Sequence, residues 1–129
     1  MADKVGIVLI SHSAQIGQGV FDLVQQVITE VPIAVAAGTD EEEIGTSMEK
    51  IQQAIEQVDQ GQGVLLLYDL GSAKMNAEMA IEFTEVENVQ IAEHVALVEG
   101  AYIAAVEANM GKSLAEVRQS LRKLEIAEM

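Results

Sequence analysis

The residues best placed to do chemistry are a histidine and an aspartate, each of which follows an apolar run. His12 stands between two serines in "LISHSAQIGQG", directly after "VGIVLI", and Asp69 stands in "VLLLYDLGS". A carboxylate that accepts the Nδ1–H of an imidazole leaves the other ring nitrogen, Nε2, free as a nucleophile. If the two runs form neighbouring strands, Asp69 is predicted to orient a nucleophilic His12.

His12 and the nearby Ser72 also fit simpler roles. A histidine after a strand is often an ordinary solvated loop residue. Ser72, three residues after Asp69, belongs to a type that caps helix N-termini whatever the function of the protein. Beside His12, the same hydroxyl and the N–H groups of a helix start would suit phosphoryl oxygens. The sequence pattern around these residues leaves both interpretations open.

The composition excludes several classes of function. The chain has 129 residues, with seven Lys and Arg against 21 Asp and Glu, a formal net charge of −14. Nucleic acids and anionic membranes are held by clustered basic residues, so neither is expected as a partner, whereas a basic protein is. There is no cysteine, which excludes disulfides and zinc–thiolate sites. No secretory signal or run of about 18 to 20 apolar residues is evident, and we expect a cytoplasmic protein with a single domain over 1–129.

Short apolar runs alternate with longer amphipathic segments along the chain. The runs predict four strands, at 5–10, 32–37, 64–70 and 88–92. The segments between and after them predict five helices. Two are given by their ranges, 17–30 and 100–109. The other three begin at a Thr46–Glu49 capping box, at Gly71-Ser72 and at a Ser113–Glu116 capping box. Met75 and Met79 repeat at helical spacing, and we expect them to fill the core.

This order of elements is typical of an α/β fold. It predicts a three-layer sandwich with a mainly parallel sheet, strand order 2-1-3-4, and a possible short edge strand. In that order the first and third strands are neighbours, and the crevice beyond their carboxyl ends is where ligands gather in such folds. The predicted crevice contains the peptides "SHS" and "DLGS".

Four segments carry a resemblance to a known family. They are "GIVLISHS" at 6–13, "EIGTS" at 43–47, "LYDLGSAKMN" at 67–76 and "LVEGAY" at 97–102. Together they resemble the mannose-type enzyme IIA domains of the bacterial phosphotransferase system, and among these the DhaM family of phosphotransferase subunits from phosphoenolpyruvate-dependent dihydroxyacetone kinases. The resemblance extends over nearly the whole chain. It implies a homodimer with the mannose-type enzyme IIA fold.

The resemblance also implies a relay of phosphate. His12, matching the family's active-site histidine, would accept phosphate from the phosphocarrier protein HPr and pass it to ADP held on the DhaL subunit. The resulting ATP would phosphorylate dihydroxyacetone on the DhaK subunit, which makes the chain part of a phosphoenolpyruvate–glycerone phosphotransferase. No metal and no cofactor of its own are expected. The residues expected to contact the phosphoryl group are Ser13, Gly38, Thr39, Gly71 and Ser72, with N–H groups at the expected helix start, Gly17.

Two other functions fit the same residues. A sugar-transporting enzyme IIA would share the fold and His12 but pass its phosphate to a IIB partner, so only the acceptor discriminates. A flavodoxin-like module that binds a phosphate-bearing ligand without catalysis would form no covalent phosphate on His12. The absence of Trp and the scarcity of other aromatic residues disfavour flavin binding in such a module.

Overall fold

A four-stranded parallel sheet forms the centre of the computed structural model, which describes residues 3–126. The strands are β1 (Gly6–Ser11), β2 (Ile33–Ala37), β3 (Val64–Tyr68) and β4 (Val89–Ile91). Their spatial order is β2-β1-β3-β4 and every pairing is parallel, which confirms the predicted order. The expected edge strand is not formed in the described part of the chain, where the only pairing outside the four strands is an isolated antiparallel bridge between Val95 and Glu125.

Five helices cover the two faces of this sheet. They are α1 (Ala14–Gln25), α2 (Met48–Val58), α3 (Lys74–Phe83), α4 (Leu97–Asn109) and α5 (Leu114–Ser120). Because successive strand residues point to opposite faces, Ile7 and Leu9 of β1 join the core under α1, α4 and α5, while Val8 and Ile10 join the core under α2 and α3. The predicted three-layer sandwich is confirmed. Within residues 3–126, no helix is both long and apolar enough to cross a bilayer.

Helix capping moves two helix starts away from the predicted positions. Ser13 caps α1 through a hydrogen bond from the Ile16 N–H to its Oγ (3.3 Å), so α1 begins at Ala14 and not at Gly17. Ser47, not Thr46, caps α2 by accepting the Lys50 N–H (3.2 Å). The capping box at the start of α5 is confirmed: its serine accepts the N–H of the glutamate, and the glutamate carboxylate accepts the N–H of the serine.

The apolar stripe of α3 faces solvent. Met75, Met79 and Phe83 are 71%, 38% and 60% exposed, so the prediction that the two methionines fill the core is wrong. The buried face of α3 is made instead by Ala77 and Ala80. These small side chains fill that face, and the long apolar ones are left on the outside.

Two glycines of α1 provide a matched test of the packing between α1 and the sheet. A Cβ on Gly17 would lie 2.8 Å from both Ala37 Cβ and Val35 Cγ1, whereas a Cβ on Gly19 would meet no atom within 4 Å. We predict that Gly17→Ala lowers the free energy of unfolding by about 1 to 3 kcal/mol because it overpacks this contact. Gly19→Ala should raise it by about 0.5 to 1 kcal/mol because alanine favours the helix. Urea denaturation measures both, and equal shifts for the two variants would contradict the close packing.

Candidate active site

His12 and Asp69 meet at the carboxyl edge of the sheet. Ile10 of β1 pairs with Tyr68 of β3, so the residues that follow these two strands leave the sheet at the same edge. His12 Nδ1 lies 3.0 Å from Asp69 Oδ1. The two side chains are only 19% and 16% exposed. The pair is therefore sheltered from bulk water without being fully enclosed.

Four hydrogen bonds converge on the carboxylate of Asp69. Oδ1 accepts from His12 Nδ1 and from the Leu70 N–H (2.7 Å), while Oδ2 accepts from Ser11 Oγ (2.7 Å) and the His12 N–H (3.0 Å). Burial alone would raise the pKa of Asp69, but the bonds from His12 and Ser11 and from the two backbone N–H groups hold it below its ordinary value of 3.8. Asp69 is therefore ionised at neutral pH and can only accept hydrogen bonds.

The ionised carboxylate fixes the tautomer of the neutral imidazole. Because Asp69 only accepts, His12 Nδ1 must carry the proton and Nε2 must hold the free electron pair. Ser72 Oγ lies 2.8 Å from Nε2, so the hydroxyl of Ser72 donates to it. Ser72 lies in a short 3-10 turn (Gly71–Ala73) and makes no side-chain cap for this turn or for α3. Its hydroxyl hydrogen-bonds to the histidine and does not cap a helix.

Ser11 is a site residue that the sequence analysis missed. It is completely buried, and its Oγ donates to Asp69 and accepts the N–H of Ser13 (3.1 Å). Ser11 thereby connects the carboxylate to the capping residue of α1. The available signal was a hydroxyl at the end of a strand that is otherwise apolar on both faces, where an unsatisfied polar group would be costly.

The loop after β2 is fastened to the backbone of the "SHS" peptide. Gly38 donates its N–H to Ser11 O (3.1 Å), and Gly45 donates its N–H to His12 O (2.8 Å). Thr39 donates its N–H to a carbonyl within the loop. The N–H of Gly38 thus joins the loop to the end of β1, while the N–H of Thr39 stabilises the loop itself.

The start of α1 also lies beside His12. Ser13 caps the helix, and the first N–H groups of a helix have no partner within it and carry its positive dipole end. The N–H of Gly17 bonds to Ser13 O (3.0 Å) inside the helix. The expectation that Gly17 offers a free N–H to a phosphoryl group is therefore wrong, because the helix starts three residues earlier than predicted.

The two lysines near this edge are already paired with glutamates of the chain. Lys74 Nζ donates to Glu93 Oε1 (2.7 Å), and Lys50 pairs with Glu42. Among residues 3–126, no group of three or more His, Cys, Asp or Glu side chains comes close enough together to hold a metal ion. The arrangement is that of a nucleophilic imidazole, oriented by a carboxylate and flanked by a hydroxyl.

Comparison with known proteins identifies a family that matches most of the chain. The family described as "PTS system fructose IIA component" (EIIA-man) matches residues 6–118. The chain is 36% identical to the phosphoryl donor subunit DhaM of dihydroxyacetone kinase 1 from Listeria innocua, over 98% of this chain and 99% of that protein. It is 34% identical to the phosphotransferase subunit DhaM of Lactococcus lactis, over 92% and 94%. A crystal structure of a protein of unknown function superimposes with a TM-score of 0.81 and 26% identity, covering 98% of each chain.

The lowered pKa of Asp69 predicts how the site responds to acid. Because the folded state lowers this pKa, the carboxylate stabilises the fold above its unfolded value of 3.8, and this contribution is lost as the pH falls through the folded value. We predict that Asp69→Asn is less stable than the wild type at pH 7, and that the difference shrinks as the pH falls below 3.8. Urea denaturation across this range measures it, with Asp22→Asn as a control for the change in net charge. A difference between wild type and Asp69→Asn that stays constant down to the lowest pH would contradict the prediction.

Proposed function

This chain belongs to the mannose-type enzyme IIA family, close to its DhaM members, and we propose from this that it is the phosphoryl donor subunit of a phosphoenolpyruvate-dependent dihydroxyacetone kinase. The observation that carries the proposal is the pair of hydrogen bonds to the ring of His12: Nδ1 to Asp69 and Nε2 to Ser72. This arrangement leaves a single ring nitrogen with an electron pair, beside the exposed Ser72.

In the first step, Nε2 of His12 attacks the phosphorus of a phosphorylated donor protein, HPr. The bond from Nε2 to phosphorus forms while the bond from phosphorus to the donor breaks, and its electron pair returns to the donor. The ring becomes positively charged, and Asp69 stabilises this charge through the proton on Nδ1, as a carboxylate does for the histidine of a hydrolytic triad. Ser72 Oγ lies beside the new bond and can turn its hydroxyl towards a phosphoryl oxygen.

In the second step, a terminal phosphate oxygen of ADP attacks the same phosphorus. The bond to Nε2 breaks, its electron pair returns to the ring, and ATP forms on the DhaL subunit, which then serves DhaK and dihydroxyacetone. The N–H groups around Gly71 and Ser72 and the start of α1 after Ser13 provide positive partial charge for the transferring group. Gly38 and Thr39 contribute indirectly, because the N–H of Gly38 holds the loop after β2 against the end of β1 and the N–H of Thr39 stabilises that loop. In the proposed relay this subunit holds no nucleotide and no metal of its own. The relay operates in the cytoplasm, and neither a nucleic acid nor a membrane takes part in it.

A homodimer is part of the proposal. An apolar groove between α1 and α4 supports it, because two copies of a chain with net charge −14 repel each other least where they meet through a surface with little charge. Exposed Leu23, Val27, Val98 and Tyr102 line this groove.

Radiolabel transfer tests the proposed function. With labelled phosphoenolpyruvate, enzyme I and HPr, we predict an acid-labile label on the wild-type chain and none on His12→Ala. The chain has two histidines, so His94→Asn is the matched control and should be labelled normally. Its asparagine tolerates the positive φ of 60° at that position.

The identity of the acceptor separates the two enzyme IIA functions. Label should leave the phosphorylated chain when ADP-loaded DhaL is added and should stay when a sugar-specific IIB protein is added. Transfer to IIB alone would replace the kinase assignment with sugar transport. Label on His12→Ala would remove this histidine from the mechanism.

A further inference from the structure

A hydrogen bond between Asn76 and Thr46 has no part in the mechanism described above. Asn76 Nδ2 donates to Thr46 Oγ1 across 2.7 Å, although the two residues are 30 positions apart in the chain. They belong to the segments "LYDLGSAKMN" and "EIGTS". We infer that this bond positions the ring of His12 for phosphoryl transfer, by holding the loop after β2 (residues 38–47) against α3. This positioning role rests on the proposed function, because it serves the same transfer.

The backbone of His12 is held on both sides. Its N–H donates to Asp69 Oδ2 (3.0 Å), and its carbonyl oxygen accepts the N–H of Gly45 (2.8 Å). Together these bonds fix the backbone from which the imidazole ring extends. The first bond comes from the carboxylate that also orients the ring, whereas the second depends on where the loop after β2 lies.

Gly45 has no side chain with which to hold that loop in place. Its φ of 142° favours glycine, and a Cβ at this position would lie 2.7 Å from Thr39 Cγ2. The neighbouring residue, Thr46, supplies the side-chain contact instead, through the bond from Asn76. The position of the Gly45 N–H is therefore set by the residue that follows it.

Asn76 connects this loop to α3. The other side-chain bonds of the loop stay within it, as from Ser47 Oγ to Asp40 Oδ1 (2.7 Å), or involve α2, as between Lys50 and Glu42. Among residues 3–126, no other hydrogen bond joins the loop to α3. Losing the bond from Asn76 would leave the loop attached to α2 and to the end of β1, but not to α3.

The start of α3 matters because it follows the turn that contains Ser72. Asn76 lies four residues after Ser72, about one helical turn, and Ser72 Oγ lies 2.8 Å from Nε2 of His12. The contacts therefore form a closed ring: from the His12 backbone to the loop, from the loop to α3, and from Ser72 back to the imidazole. Thr46 and Asn76 are both half-buried, which strengthens the bond between them.

A role in positioning has a kinetic signature. Asn76 and Thr46 act through the backbone of His12, so their loss displaces the nucleophile without changing its chemistry. Small displacements of reacting groups slow the chemical step. The effect should accordingly appear in the maximal rate and should be the same for a large donor and a small one.

The test removes each partner of the bond separately. Thr46→Val keeps the shape of the side chain and loses the acceptor, and Asn76→Ala loses the donor. Both variants are phosphorylated with phospho-HPr and, separately, with phosphoramidate. We expect each variant to lower the maximal rate with HPr and the rate with phosphoramidate by about fivefold, as for the loss of one neutral hydrogen bond. The KM for HPr should stay within about twofold of wild type.

Three further measurements connect the rate to the bond itself. The double variant Thr46→Val/Asn76→Ala should be no slower than either single variant, because both remove the same bond. Thr46→Ser retains the hydroxyl acceptor and should restore the rate to within about twofold of wild type. Amide hydrogen exchange at Gly45 should be about fivefold faster in Thr46→Val, because the loop that carries this N–H is less firmly held.

Thr84→Val is the matched control. Thr84 Oγ1 also connects two helices, because it bonds to Glu56 of α2 (3.2 Å), but Thr84 follows the opposite end of α3 from Ser72. The same substitution there removes a hydrogen bond between elements without touching the loop. It should leave the rates with both donors and the exchange at Gly45 unchanged.

The outcomes separate the inference from the proposed function. Rates within about twofold of wild type for Thr46→Val and Asn76→Ala would overturn the positioning role and leave the proposed function intact. A raised KM for HPr alone, additive slowing in the double variant, or equal slowing in Thr84→Val would overturn it too. If neither donor phosphorylates His12 in the wild type, the proposed function itself fails.

Discussion

The carboxylate of Asp69, held by four hydrogen bonds, is the interaction on which the rest of the site depends. Because the bonds from His12, Ser11 and Leu70 keep Asp69 ionised, the neutral ring of His12 has one permitted tautomer, in which only Nε2 holds an electron pair. Removing the carboxylate group would leave its donors, among them the buried Ser11 hydroxyl, without an acceptor, which costs more than the bonds contribute when they are present. The carboxylate of Asp69 therefore both orients the nucleophile and stabilises the structure around it.

The fold is arranged so that these donors converge. Parallel pairing of β1 with β3 brings His12 and Asp69 to one edge, and the missing Cβ of Gly17 lets α1 pack closely on β2, with its capping residue Ser13 beside the site. The buried hydroxyl of Ser11 joins the helix start to the carboxylate. The site is thus built from the ends of rigid elements, which hold a transfer geometry more closely than free loops do.

The sequence predicts the sheet order and the His12–Asp69 pair because buried parallel strands read as continuous apolar runs, and the residues that follow neighbouring strands must meet. It does not predict the start of α1, because a capping serine can lie several residues before the first periodic apolar position. It gives no role to Ser11, whose burial depends on the tertiary structure. It also misplaces Met75 and Met79, because an apolar stripe on a helix looks the same in the sequence whether it faces a core or solvent.

The proposed mechanism requires Asp69 to occupy Nδ1 of His12 and so to leave Nε2 for phosphorus. The most direct measurement is nitrogen-15 and phosphorus-31 NMR of the phosphorylated, nitrogen-15-labelled protein, in which coupling to phosphorus identifies the bonded ring nitrogen. We expect phosphorus on Nε2 of His12, with Nδ1 still protonated and hydrogen-bonded to Asp69. Phosphorus on Nδ1, or on any residue other than His12, would contradict it.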